Sequence, residues 1–136
     1  MNKIEASSKV YVAKSEIADA GRGVFARVPI MKDEIIEICP VIEVPLTDAA
    51  NDNEGGLLTN YFFYFGDGLA IALGFGSLYN HSYNANATYL KRPDNGVVEF
   101  RAATNIPAEE EITVNYNNGE LSNHTPIGRG VPDPAN

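Results

Sequence analysis

Leu73-Gly74-Phe75-Gly76-Ser77-Leu78-Tyr79-Asn80-His81-Ser82 is a glycine-punctuated turn sequence set between two blocks of strand-forming residues. Gly74 to Tyr79 predicts a short helix, but no helical period persists on either side, which excludes a helix bundle. On the N-terminal side, the apolar runs Tyr61 to Phe65 and Leu69 to Leu73 are joined by Gly66-Asp67-Gly68, a tripeptide that supplies the positive φ values of a tight hairpin. On the C-terminal side, Pro93-Asp94-Asn95-Gly96 predicts a second hairpin between residues 87–92 and 97–102. Beyond it, Glu111-Ile112-Thr113-Val114-Asn115-Tyr116 alternates strictly, so that Ile112, Val114 and Tyr116 share one face and Tyr116 reads by period alone as a core aromatic. Further out, Val10-Tyr11-Val12-Ala13 and Gly23-Val24-Phe25-Ala26 read as strands. Glu34 to Val44 does too, although Pro40 predicts an edge strand or a break between strands. The pattern is that of a mainly β protein.

A chain of 136 residues and 14.7 kDa, 44% hydrophobic, holds one domain with a single core. Eighteen acids against ten bases give a net charge of -8, which disfavours direct nucleic-acid binding and favours cationic partners. The acidity is concentrated. No Lys or Arg occurs from Asp33 to Leu90, a segment holding Asp33, Glu34, Glu37, Glu43, Asp48, Asp52, Glu54 and Asp67. Such a segment is either a solvated, solubilising loop or a docking surface for a basic peptide. One cysteine, Cys39, excludes an internal disulfide and any multi-thiolate zinc site, and His81 and His124 do not complete a four-ligand site, so no metal is expected. The first residues lack the apolar run of a secretory signal and no stretch is apolar enough to span a membrane, which predicts a soluble, intracellular protein. From Asn117 onward the composition predicts an irregular tail, or one ordered only by docking.

Three short constellations stand out, each with an ordinary structural reading. Gly21-Arg22-Gly23 is compatible with a simple turn before a strand, Asn80-His81-Ser82 with a turn holding a core histidine, and Tyr116 with core packing. In the order Gly21-Arg22-Gly23-Val24-Phe25-Ala26, then Leu73 to Ser82, then Glu110 to Tyr116, however, the sequence resembles the SET domain of protein lysine methyltransferases. The likeness runs from about Lys9 to Tyr116, so that residues 1–116 form the domain and 117–136 a short tail. It is most like the minimal SET proteins of large viruses and microbes, which have no zinc-bound flanking modules.

The resemblance implies a fold of several small sheets with one or two short helices, in which the Asn-His-Ser segment and the final tyrosine segment meet in a knot-like crossing. S-adenosylmethionine (AdoMet) lies on one side of that crossing and a lysine-bearing peptide on the other. Gly21, Arg22, Gly23, Asn80 and His81 then contact AdoMet. Tyr116 and Tyr61 are the catalytic tyrosines, Tyr61 and Tyr89 line the lysine channel, and Asp48, Asp52 and Glu54 belong to the peptide groove. The substrate is a basic protein, histones included, and the products are methyl-lysine and S-adenosylhomocysteine. Histone substrates imply a nuclear location, others a cytoplasmic one. A module that binds AdoMet or a basic peptide without turnover is the alternative, and a structural protein of related fold a third reading. Ser77, Tyr83 and Asn115 stand where many members have Arg, Cys and Asp. Most relatives also close the channel with a cysteine-rich, zinc-bound segment after the final tyrosine; here the tail or a second copy of the chain, as a homodimer, must replace it.

Overall fold

The computed structural model describes residues 3–46 and 61–127. Among these residues nine strands form two sheets: β1 (Val10–Lys14), β2 (Arg22–Ala26), β3 (Ile35–Val44), β4 (Phe62–Phe65), β5 (Gly68–Ala72), β6 (Asn80–His81), β7 (Ala87–Arg92), β8 (Val97–Ala102) and β9 (Glu111–Val114). The first sheet has the order β1-β2-β9-β6 and the second β4-β5-β3-β8-β7. All the pairings are antiparallel except that of β6 with β9, where Asn80 opposes Thr113 and His81 opposes Val114.

Both local hairpins form where the turn chemistry places them. Gly66 takes a positive φ of 55° between β4 and β5, and the 3-10 turn Pro93–Asn95 ends in a left-handed Gly96 before β8. Pro40 does not mark an edge. The ten-residue β3 runs through the middle of its sheet, pairing with β8 as far as Pro40 and with β5 from Val41 onward. Pro40 sits where the ladder changes partner. There its missing N–H is tolerated, while its carbonyl still accepts from the Leu73 N–H at 2.8 Å. The helix expected over Gly74–Tyr79 is instead a run of turns, with i to i+3 bonds from Gly76 to Leu73 and from Leu78 to Phe75.

The core lies between the sheets. One cluster of buried side chains draws on Ile36, Cys39, Phe65, Ala72, Val98 and Phe100 of the second sheet and on Val24, Ile112 and Val114 of the first, together with Ile30 and Ile106, which pair with each other outside both sheets. Each fully buried aliphatic or aromatic side chain of this kind contributes roughly 1.5–3 kcal/mol. Tyr79 stacks on Phe100 with centroids 4.3 Å apart, which anchors the turn leading into β6.

Candidate active site

The short β6 brings the three constellations together. Being outermost in its sheet, it leaves one edge of the Asn80–His81 backbone outside the ladder. The Asn80 side chain turns the other way, donating to the Arg22 carbonyl at 2.9 Å and to Glu111 Oε2 at 3.0 Å. Gly21-Arg22-Gly23 is therefore held against β6. A side chain at Gly23 would displace the Glu111 carboxylate, which a Cβ there would meet, and would crowd the Asn80 amide, 3.0 Å from that Cβ. Nothing lies within 4 Å of a Cβ built on Gly21, so this side of the loop is open.

His81 is half-buried, with Nδ1 accepting the Tyr116 backbone N–H at 2.9 Å. That bond assigns the proton of the neutral ring to Nε2. Nε2 is buried and has no hydrogen-bond partner, and burial lowers the ring's pKa. The ring packs edge-on against Tyr83, with centroids 4.2 Å apart.

Tyr116 is bound at both ends of β6: its backbone to His81, and its hydroxyl to the Tyr79 carbonyl at 2.8 Å. Tyr61, Tyr89 and Tyr116 line one cavity of about 120 Å³ together with Phe63, Gly76, Ser77 and Asn118. Tyr89 is buried, and desolvation followed by the neighbouring Tyr116 raises its hydroxyl pKa to about 12. Tyr61 and Tyr116 are about equally exposed, at 39% and 37%.

Two buried carboxylates that the sequence does not mark out support this geometry. Glu37 accepts from the Tyr79 hydroxyl at 2.8 Å and from the Phe75 N–H at 3.0 Å, which wraps the Gly74-Phe75-Gly76 turn around it. Burial, then Glu37, pushes the Tyr79 hydroxyl well above its ordinary pKa. Glu111 gathers Ser15, Glu16 and Asn80. In a sequence, a Glu on a strand reads as surface charge. The signal that could have found them is the glycines of the two motifs, Gly23 and Gly74, which leave room for the carboxylates.

The tail is ordered as far as it is described. Asn115, fully buried, donates to the Asn123 carbonyl at 2.7 Å and accepts from the Asn117 N–H at 2.9 Å. Thr88 bonds the Gly119 carbonyl at 2.7 Å, Lys91 bonds Asn118 Oδ1 at 2.7 Å, and the Tyr83 hydroxyl accepts from the Ile127 N–H at 3.0 Å. The chain after Tyr116 thus folds back along β7 and carries Asn118 into the tyrosine cavity.

Asp48, Asp52 and Glu54 lie outside the described residues. Of the other acids in that segment, Glu37 is internal and Glu34 is paired with Lys9 at 2.8 Å, whereas Asp33, Glu43 and Asp67 are exposed. Among the described residues no group of three His, Cys, Asp or Glu side chains could hold a metal ion, and no helix is long and apolar enough to cross a membrane.

A small β fold in which a parallel two-strand pairing joins a glycine loop to a tyrosine cavity is that of a SET domain. The SET domain family matches residues 21–117, and the chain belongs to that family. It is 31% identical over 97 residues to the histone-lysine N-methyltransferase of Schizosaccharomyces pombe described as specific for lysine 37 of H3, a match covering 71% of this chain and 66% of that protein. A crystal structure of a candidate histone methyltransferase of Plasmodium falciparum matches with a TM-score of 0.65 at 33% identity, over 84% of this chain and 96% of that one. The polycomb repressive complex 2 of Chaetomium thermophilum, in an autoinhibited conformation bound to S-adenosylmethionine, shares the fold with a TM-score of 0.70 at 20% identity, over 85% of this chain and 16% of that one.

Proposed function

We propose that this chain is an AdoMet-dependent protein-lysine N-methyltransferase acting on a basic protein, with histones as the first candidates. The observation that carries the reading is the convergence of Tyr61, Tyr89 and Tyr116 on one cavity that Tyr116 ties to β6, through its backbone bond to His81 and its hydroxyl bond to the Tyr79 carbonyl. The residues suit the cofactor. Gly21 leaves open space on one side, β6 is the outermost strand of its sheet, and the buried His81 Nε2 has no hydrogen-bond partner among the described residues. Gly21, Arg22, Gly23, Asn80 and His81 would hold AdoMet, with Asn80 acting by fixing the Arg22 backbone. Bound AdoMet supplies a methyl group on a sulfonium and leaves as S-adenosylhomocysteine.

The chain's own residues prepare the amine. A lysine with a reference pKa of about 10.4 is neutral in only about one molecule in a few thousand at pH 7, so presenting the nucleophile costs roughly 4.6 kcal/mol. A channel walled by Tyr61, Phe63, Tyr89 and Tyr116 strips water from the ammonium and favours loss of its proton to solvent. The Tyr116 hydroxyl, fixed by the Tyr79 carbonyl, and the Tyr61 hydroxyl then orient the amine lone pair. The aromatic faces stabilise the cationic product by cation-π contact, on the order of 0.5–2 kcal/mol.

The tail supports a channel closed within one chain, since Asn118 already lines the cavity. Closure by a second copy predicts a species of twice 14.7 kDa in light scattering. A histone substrate would place the protein in the nucleus. Incubating the purified chain with labelled AdoMet and basic proteins, histones included, tests the reading by mass spectrometry. Methyl-lysine is the expected product. Cofactor binding without transfer to any lysine would select the inactive module instead, and no binding would remove the methyltransferase reading.

A further inference from the structure

We infer that Glu111 is a positioning residue that locks the cofactor loop to β6, an assignment that rests on the AdoMet reading above. The residue is buried, at 8% exposed, and its carboxylate accepts from three donor groups among the described residues. Oε1 and Oε2 accept from the Ser15 hydroxyl at 2.9 and 2.8 Å, Oε1 from the Glu16 N–H at 2.9 Å, and Oε2 from the Asn80 amide at 3.0 Å. Three separate parts of the chain therefore converge on one side chain: the segment after β1, the Arg22-Gly23 backbone through Asn80, and β6 itself. Gly23 vacates the space the carboxylate occupies.

The chemistry calls for an anion in this place. An ionised carboxylate offers acceptor sites on both oxygens and no donor, matching a hydroxyl, a backbone N–H and a side-chain amide that all donate. Glutamine at this position would turn its own NH2 against one of them. The Ser15 hydroxyl can rotate to accept, but the Asn80 amide, held by the Arg22 carbonyl at 2.9 Å, has no such freedom without letting go of the loop. With its lone pairs already engaged, Glu111 does not need to touch the cofactor to matter. It acts through Asn80 and the Gly21-Arg22-Gly23 backbone.

Glu111→Gln is expected to raise the AdoMet dissociation constant, and the Michaelis constant for AdoMet with it, by about 10-fold, with kcat within about 2-fold of wild type. The decisive readout is calorimetric titration, which separates affinity from the fraction of folded protein. A positioning role weakens affinity at unchanged stoichiometry, whereas a merely structural role lowers the stoichiometry and melting temperature and leaves the affinity intact. Glu99→Gln, which disturbs an equally buried carboxylate on β8, held by Arg92 and Arg101 and outside the site, controls for general destabilisation and is expected to leave AdoMet affinity unchanged. If Glu111→Gln does not fold, Ser15→Ala, which spares the bonds to Glu16 and Asn80, carries the same test with an expected increase of about 2- to 5-fold. Wild-type AdoMet affinity in the folded variant, or an equal loss in Glu99→Gln, overturns the assignment alone. Failure of the wild-type chain to bind AdoMet overturns the methyltransferase reading and this inference together.

Discussion

Tyr116 is out of step with the strand that leads to it. Ile112 and Val114 are buried, but β9 ends at Val114 and the next residues turn, so the third member of the alternating set faces the cavity rather than the core. Its hydroxyl is fixed by a backbone carbonyl, which no substitution elsewhere removes. Tyr116→Phe deletes that hydroxyl with little loss of packing. Turnover is expected to fall about 10- to 1000-fold with AdoMet affinity retained, as measured by steady-state kinetics beside calorimetry. Wild-type rates would leave Tyr116 as a cavity-lining aromatic whose hydroxyl takes no part in transfer. The neighbouring His81 is sensitive to pH in a defined direction. Burial lowers its pKa, so the folded chain takes up the proton less readily than the unfolded one. The stability tied to the neutral ring is thus fully present above the unfolded pKa of about 6.5 and is lost as pH falls from there through the folded value. Protonation also places a second N–H against that of Tyr116. The stability difference between wild type and His81→Gln should shrink between about pH 7.5 and pH 5 in denaturant titrations; a difference that stays constant would show that His81 does not titrate across the transition.

The segments readable from sequence are those whose conformation is decided within a few residues. Gly66-Asp67-Gly68 and Pro93 to Gly96 carry their own turn chemistry, and the flanking strands follow. The turn at Gly74–Tyr79 is different, because what shapes it is Glu37, 38 residues away in sequence from the Phe75 N–H that it binds. Pro40 misleads for the same reason: only the exchange of β8 for β5 along β3 explains a proline in a central strand. The tyrosines that line the cavity, Tyr61, Tyr89 and Tyr116, and the residues proposed to hold AdoMet are named by the resemblance, whereas the bonding of Glu37 and Glu111 requires the fold. The composition of the tail leaves open whether it is irregular or docked, and its docking depends on Asn115. Asn115→Asp, the residue many relatives carry there, replaces a donor to the Asn123 carbonyl with a carboxylate in a fully buried position. The expected loss is about 1–3 kcal/mol of stability. Faster proteolysis after Tyr116 and impaired methyl transfer should accompany it, with AdoMet affinity preserved. Wild-type stability and protease resistance in this variant would mean that Thr88, Lys91 and Tyr83 hold the tail without Asn115.

Across the whole molecule the charge is unevenly placed in a way that bears on the substrate. Ten bases are shared among the remaining residues, and none falls between Asp33 and Leu90. Part of that segment's acidity is already used, since Glu37 is internal and Glu34 is paired with Lys9 across the segment boundary. What is left to meet a cation is Asp33, Glu43 and Asp67 among the described residues, plus Asp48, Asp52 and Glu54, which in sequence precede the cavity tyrosine Tyr61. Exposed charges act over roughly 8–10 Å at physiological ionic strength, so acids close to the channel mouth would steer a basic peptide and distant ones would not. Replacing Asp48, Asp52 and Glu54 with Asn, Asn and Gln is therefore expected to raise the Michaelis constant for a basic peptide and flatten its dependence on salt, leaving AdoMet affinity nearly intact. The control makes the same three kinds of change at exposed positions outside the segment: Asp19→Asn, Asp94→Asn and Glu5→Gln. Asn is tolerated at Asp19, whose φ of 62° lies in the left-handed region. Glu5 gives up only a solvent-exposed ion pair with Lys3, which contributes little to stability. If both triple variants weaken peptide binding alike, attraction comes from the net charge of -8 as a whole. If neither does, the acids serve solubility and the peptide is held by contacts along the tyrosine cavity.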